Sequence, residues 1–224
     1  MYRRDFVISS VACVVGYSAT SGVLLQKKTF EPDLAALSEG KGLKVFNRSL
    51  SSFKDETKKG VRMNATPGDG VAYLDGIEFS NGSIELDIKG KDVQQQSFVG
   101  VAFHGEDEKT YDAIYFRPFN FKAEDPARRL RAVQYISHPT YTWQKLRTEH
   151  PGKYEQPVSP VPDPNGWFHA RVVVASPKVS VFVNDAKEPS LEVNQLSDRK
   201  KGLVGLWAGN TSGGDFTNFK IVPV

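Results

Sequence analysis

The sequence predicts an all-β fold, a sandwich of two antiparallel sheets, and three observations carry that prediction. GSIELDIKG (82–90) alternates strictly, with Ile84, Leu86 and Ile88 on one face and Ser83, Glu85 and Asp87 on the other, the period of two of a half-buried strand. Similar runs rich in Val, Ile, Phe, Tyr and Trp recur at 97–105, 110–118, 129–137, 166–175, 178–184, 202–209 and 214–222. Gly, Pro, Asn and Asp punctuate them, and only Pro32 to Leu37 reads as a helical turn.

Taken in order, the chain opens with Arg3 and Arg4 before an apolar run from Phe6 to Val15 and then small residues. That is the order of an export signal, and the run is too short to span a bilayer. Arg3-Arg4-x-Phe6 resembles the twin-arginine signal of bacteria, although Val7 and Ile8 stand where Leu and Lys are common; a Sec signal is the alternative. Cleavage is expected between Ser18 and Gly22, which places the mature chain in the periplasm or outside the cell. Ser10-Val-Ala-Cys13 is a weaker lipoprotein pattern that lacks a leading Leu. Cys13 is the only cysteine and lies inside the signal, so the mature domain is expected to hold together without a disulfide. Residues 1–22 are thus the signal, 23–42 a linker and lead-in, and 43–224 one sandwich domain.

Within the domain, SFVGVAFHG (97–105) places Val99, Val101 and Phe103 on a core face and Gly100, Ala102 and His104 on the opposite one. TYDAIYFRP (110–118) pairs Ile114 with Phe116 and sets Tyr111, Ala113, Tyr115 and Arg117 opposite. Two neighbouring strands would then display a shallow Gly and Ala floor flanked by Tyr, His and Arg. Such a floor lets a flat ligand approach the backbone, or accommodates an overlying loop. VVVASPKVSVFVND is a hairpin about Ser176-Pro177. His169, alternating with Phe168, reads as an ordinary half-buried histidine. Trp167 and Trp207, beside apolar residues, read as core.

Charge and motif exclude several classes. A formal net charge of +3 with both signs mixed gives no argument for nucleic acid or a membrane surface. Basic DRKKG (198–202) has no aromatic interleaving and reads as a surface turn. There is no Gly-x-Ser-x-Gly, no mature cysteine and no His-Glu-x-x-His, and GNTSGGD (209–215) is a turn rather than a phosphate loop.

Longer segments resemble a known family. GVAFHGEDEKTYDAIYFRPFNF, HPTYTW, PNGWFHARVVVASPKVSVFVND and GLVGLWAGNTSGGDFTNFKI together resemble the concanavalin-A-like lectin/glucanase jelly roll, in its laminin-G-like and 3-keto-disaccharide hydrolase branch. The resemblance covers about residues 43–224 and implies a two-sheet jelly-roll sandwich with a saccharide or polysaccharide as partner. Glucanases of this fold carry Glu-x-Asp-x-Glu or Glu-x-Asp-x-x-Glu on one strand. Here Glu85 and Asp87 are followed by Lys89 and Gly90, so that double-displacement pair is broken. No cofactor is required. Calcium, which jelly rolls of this kind often take, is the one candidate ion, on GEDEKTYD (105–112), against a solvated acidic turn.

The segment 137–165, expected to wall a concave face built from 97–104, 110–117 and 130–136, is unusually rich in large hydrogen-bonding side chains. Sugars stack apolar ring faces on Trp or Tyr and offer hydroxyls to polar groups. The expected ligand-binding residues are Tyr111, Tyr115, Arg117, Tyr135, His138, Tyr141, Trp143 and Arg147; anchoring of a long loop is the competing reading. Recognition of a saccharide is the leading function. A glycoside-acting hydrolase is the alternative, with His104, Asp112, His138 and Glu155 as acid, base or metal-ligand candidates. An adhesion module is the third.

Overall fold

Alternating apolar residues produce two stacked antiparallel sheets of seven strands each, the expected jelly-roll sandwich. The computed structural model describes residues 28–40, 42–54 and 57–224. The signal expected over residues 1–22 lies outside them. The first sheet has the order β1 (Leu43–Phe46), β4 (Gly70–Phe79), β13 (Gly202–Ala208), β6 (Val99–Gly105), β7 (Tyr111–Phe116), β8 (Val133–His138), β9 (Glu155–Gln156). The second runs β12 (Leu191–Asn194), β11 (Lys178–Val183), β10 (Trp167–Ala175), β5 (Gly82–Lys89), β14 (Ser212–Pro223), β3 (Lys59–Thr66), β2 (Leu50–Lys54).

The core lies between the sheets. Ile84, Leu86 and Ile88 of β5 are fully buried there, as are Val101 and Ile114 from the first sheet. Phe116 and Phe121 meet Phe168 edge to face at 5.0 and 5.3 Å. Full burial of such side chains contributes roughly 1.5–3 kcal/mol each. The lead-in belongs to this packing: Phe30 exchanges backbone hydrogen bonds with Ile221, and Leu34 of α1 (Leu34–Glu39) is buried. Asp33 caps that helix, close to the turn the sequence predicts. Among the described residues no helix is long and apolar enough to cross a membrane.

Two expectations about core and surface are corrected. His104 does not share a face with Gly100 and Ala102. Val204 of β13 alone opposes Phe103 and His104 between the pairs Gly205–Ala102 and Leu203–Gly105, and His104 takes φ 50°. This bulge interrupts the period of two, so Phe103 and His104 are both fully buried. Trp167 is not core. It stacks on Phe53 at 5.8 Å, only partly buried, and its pairing with Lys89 sets it on the outer face of the second sheet.

Gly100 answers the question of the small floor. A Cβ there would lie 2.0 Å from the carbonyl oxygen of Ile114 and 2.6 Å from the Tyr115 Cα. Its smallness serves close approach of the neighbouring strand rather than of a ligand or a loop.

The outer face of the second sheet carries an ion cluster around Asp87, which accepts from His169 Nδ1 (2.8 Å), Lys58 Nζ (2.7 Å) and Asn218 Nδ2 (2.7 Å). Burial works against the charge, but these hydrogen bonds and the Lys58 charge prevail and hold its pKa at about 2, below the ordinary 3.8. A depressed folded-state pKa means stability that is present above pH 3.8 and lost as pH falls towards 2. Asp87→Asn is therefore expected to flatten the acid limb of a stability-versus-pH curve between those values. Urea titrations at a series of pH values measure it, and an unchanged limb would contradict the assignment.

Candidate functional site

A cleft of about 270 Å³ opens on the outer face of the first sheet, on the side away from the core. Its floor follows from register. Trp207 pairs with Gly100, Gly100 with Tyr115 and Tyr115 with Gln134, and alternation brings Ile136, His138 and Arg117 to the same face. The short helices α2 (Pro118–Phe121) and α3 (Pro126–Arg129) supply Phe119, Asn120 and Arg128 at the rim.

The expected long loop contains a helix, α4 (Trp143–Glu149), followed by β9. Thr142 caps it by accepting from the Lys145 N–H, and WQKLRTE holds good helix formers. Residues 143 and 147 then lie one turn apart, and the Arg147 guanidinium sits 4.9 Å over the Trp143 ring. Trp143 is 41% exposed at the mouth of the cleft.

Below it, the polar floor is tightly knit. Arg117 Nη2 donates to Tyr115 Oη (2.6 Å) and to Gln134 Oε1, Tyr115 Oη donates to the same Gln134 oxygen (2.8 Å), and Arg117 Nη1 donates to the Arg131 carbonyl (3.0 Å). Burial pushes the Tyr115 phenol up to about 12, so it remains a protonated donor. Glu155, buried behind Arg147, accepts from its Nε (2.8 Å) and Nη2 (2.6 Å) and stands 3.6 Å from Arg117.

A His–Asp pair also borders the cleft. His138 Nδ1 lies 3.9 Å from Asp69 Oδ2, and its ring stacks on Tyr111 at 5.2 Å. Tyr111 Oη accepts from Trp207 Nε1 (3.0 Å) and faces Asp69 at 3.5 Å. Burial lowers the His138 pKa against the pull of Asp69, and burial raises that of Asp69 against the His138 and Arg48 charges. Arg48 fixes the turns beneath the pair, donating to the carbonyls of Gly68, Ala208 and Gly209 at 2.7–2.9 Å.

Of the residues expected from sequence, Tyr115, Arg117, His138, Trp143 and Arg147 line the cleft. Tyr111 lies buried against it. Tyr141 borders a separate hollow with Leu196 and Asp198. Tyr135 is on the opposite, core side of β8, where its hydroxyl donates to Asp112 Oδ1 (2.6 Å). Asp112 and His104 are core-side too. Asp112 Oδ2 accepts from Ser197 Oγ (2.6 Å), and Arg199 reaches Oδ1 at 3.4 Å, so DRKKG is not wholly a surface turn. His104 Nε2 donates to the Ser80 carbonyl (2.6 Å) and Nδ1 accepts from Gln195 Nε2 (3.0 Å); burial lowers its pKa and both nitrogens are occupied. These two candidates sit behind the sheet, away from any ligand in the cleft.

Sequence reasoning missed Asp69, Phe98, Arg128, Arg131 and the cleft-side position of Trp207. Asp69 sits in the TPGDG turn, which carries only a turn signal. In the GEDEKTYD turn, Asp107 Oδ1 accepts from the N–H groups of Lys109 and Thr110 at 2.8 and 2.7 Å, capping its own loop. Among the described residues no group of three or more His, Cys, Asp or Glu is placed to hold a metal.

Comparison with solved structures agrees with the fold. Carbohydrate binding module CBM66 from Bacillus subtilis superposes with a TM-score of 0.57 at 15% identity, covering 80% of this chain and 95% of the module. A Bacillus subtilis protein of unknown function with a galectin-like fold gives 0.56 at 12% identity, covering 86% and 94%. The exoplasmic/lumenal domain of VIP36 in its Ca2+/Man-bound form gives 0.52 at 8% identity, covering 86% and 88%. A search of curated proteins finds no match. The profile of the 3-keto-alpha-glucoside-1,2-lyase-like domain matches residues 33–222, and the chain belongs to that family.

Proposed function

We propose that the chain recognises a saccharide in the cleft of the first sheet, working outside the cytoplasm as its N-terminal sequence leads one to expect. The observation that carries this reading is the combination, in one cavity, of an accessible indole, Trp143, with a rigid polar floor of Tyr115 and Arg117 and the accessible guanidinium of Arg131. An indole face stacks on a sugar ring while fixed donors take its oxygens. The carbohydrate named for CBM66 and the mannose named for VIP36 support it. The test is a binding screen of the full chain on a saccharide array, with and without chelator, and mass spectrometry of each ligand after incubation. Binding with the saccharide unchanged supports recognition. Absence of binding to any saccharide contradicts it.

The His138–Asp69 pair favours a second reading, turnover of a keto-glycoside. The lyase chemistry in the family's description requires a base to remove a proton beside a ketone. His138 is on the cleft, neutral over a wider pH range than an ordinary histidine, with its ring stacked on Tyr111 and Asp69 3.9 Å from its Nδ1. On this reading the rate rises with pH through a pKa below 6.5. His138→Gln is expected to lower kcat by about 100-fold or more, with KM little changed. A pH-independent rate, or full activity in the variant, would remove His138 from the chemistry.

A further inference from the structure

We infer that the cleft takes an anionic saccharide, one bearing a carboxylate or sulfate group, held by arginines; this rests on the saccharide reading above. Arg117, Arg128, Arg131 and Arg147 all line the cleft, whereas Asp69 is the only carboxylate among the described residues that does so. Counting Glu155 behind Arg147 as well, four guanidinium charges face two carboxylates and leave two positive charges in excess.

The imbalance is one of hydrogen bonding as well as charge. Glu155 spends both oxygens on Arg147 and is 3.7 Å from Arg131, outside hydrogen-bonding distance. Arg131 keeps 42% of its side chain accessible. Arg128 donates only to neutral acceptors, the Asn120 side-chain oxygen (3.2 Å) and the Phe119 carbonyl (2.9 Å). This end of the cleft therefore presents donors in surplus, and what complements it is a group rich in acceptors. A neutral sugar hydroxyl both donates and accepts, whereas a carboxylate or sulfate only accepts and matches the guanidinium fork.

The test is the array screen of the full chain with neutral, uronate-bearing and sulfated saccharides, followed by titration of the best ligand and of its uncharged counterpart at low and high salt. The anionic form is expected to bind at least tenfold tighter, with the gap narrowing as salt rises. The double substitution Arg128→Gln with Arg131→Gln is expected to weaken the anionic form at least tenfold and to weaken the neutral form markedly less, so that the ratio of the two affinities falls. Whether uronates or sulfated sugars dominate identifies the anion. Preferential binding of neutral saccharides, or anion binding indifferent to the double substitution, would overturn this inference and leave the saccharide reading standing. No binding across the array would overturn both.

Discussion

Asp112→Ala is expected to destabilise the domain by about 3–5 kcal/mol, a large share of ordinary domain stability. The carboxylate is fully buried and ties β7 to two other pieces of the chain: Tyr135 of β8, and Ser197 and Arg199 in the segment before β13. Its removal takes the acceptor from the buried Tyr135 hydroxyl and from the partly buried Ser197 hydroxyl and Arg199 guanidinium, and breaking one partner out of a buried polar network is the costly part. Asp112→Asn keeps the volume and an acceptor and is expected to cost less. Urea denaturation measures both. Because Asp112 lies on the core side of the first sheet, saccharide binding by whatever fraction remains folded is expected to be unchanged. A catalytic or ligand-contacting role would instead abolish activity or binding in Asp112→Asn without loss of stability.

Trp143→Ala is the converse case. The ring is exposed at the mouth of the cleft, on a helix whose cap and buried Leu146 do not depend on it. Stability is expected to change by less than about 1 kcal/mol. Saccharide affinity is expected to fall by about 2 kcal/mol, roughly 30-fold in Kd, as for an aromatic anchor at the centre of a contact. Calorimetric titration of the wild type and the variant measures it. Unaltered affinity would show that the indole only anchors its segment.

Much of this was legible in the sequence, for a physical reason. Strands such as β5, β10 and β11 bury one face and wet the other, so alternation alone locates them. The cleft residues Tyr115 and Arg117 were legible as the non-core face of β7. Three features were not. The bulge at His104 depends on how two distant strands pair, and one unpaired residue turns a surface histidine into a core one. Trp207 resembles a core residue because its burial comes from Tyr115 and Tyr111 on the cleft side rather than from the other sheet. In 137–165, aromatic and histidine content masked the helical spacing of Trp143, Leu146 and Arg147. The arginine cluster joins four segments between residues 117 and 147 and has no local pattern at all.

The most direct test of the account uses the three tryptophans, two on the cleft and one, Trp167, on the outer face of the opposite sheet. Indole N–H resonances of the labelled protein would be followed by NMR as a saccharide found in the array screen is added. The Trp143 and Trp207 signals are expected to move together along one saturating curve while Trp167 stays in place. Movement of Trp167 with Trp143 and Trp207 unmoved would put the ligand on the other sheet and contradict that expectation.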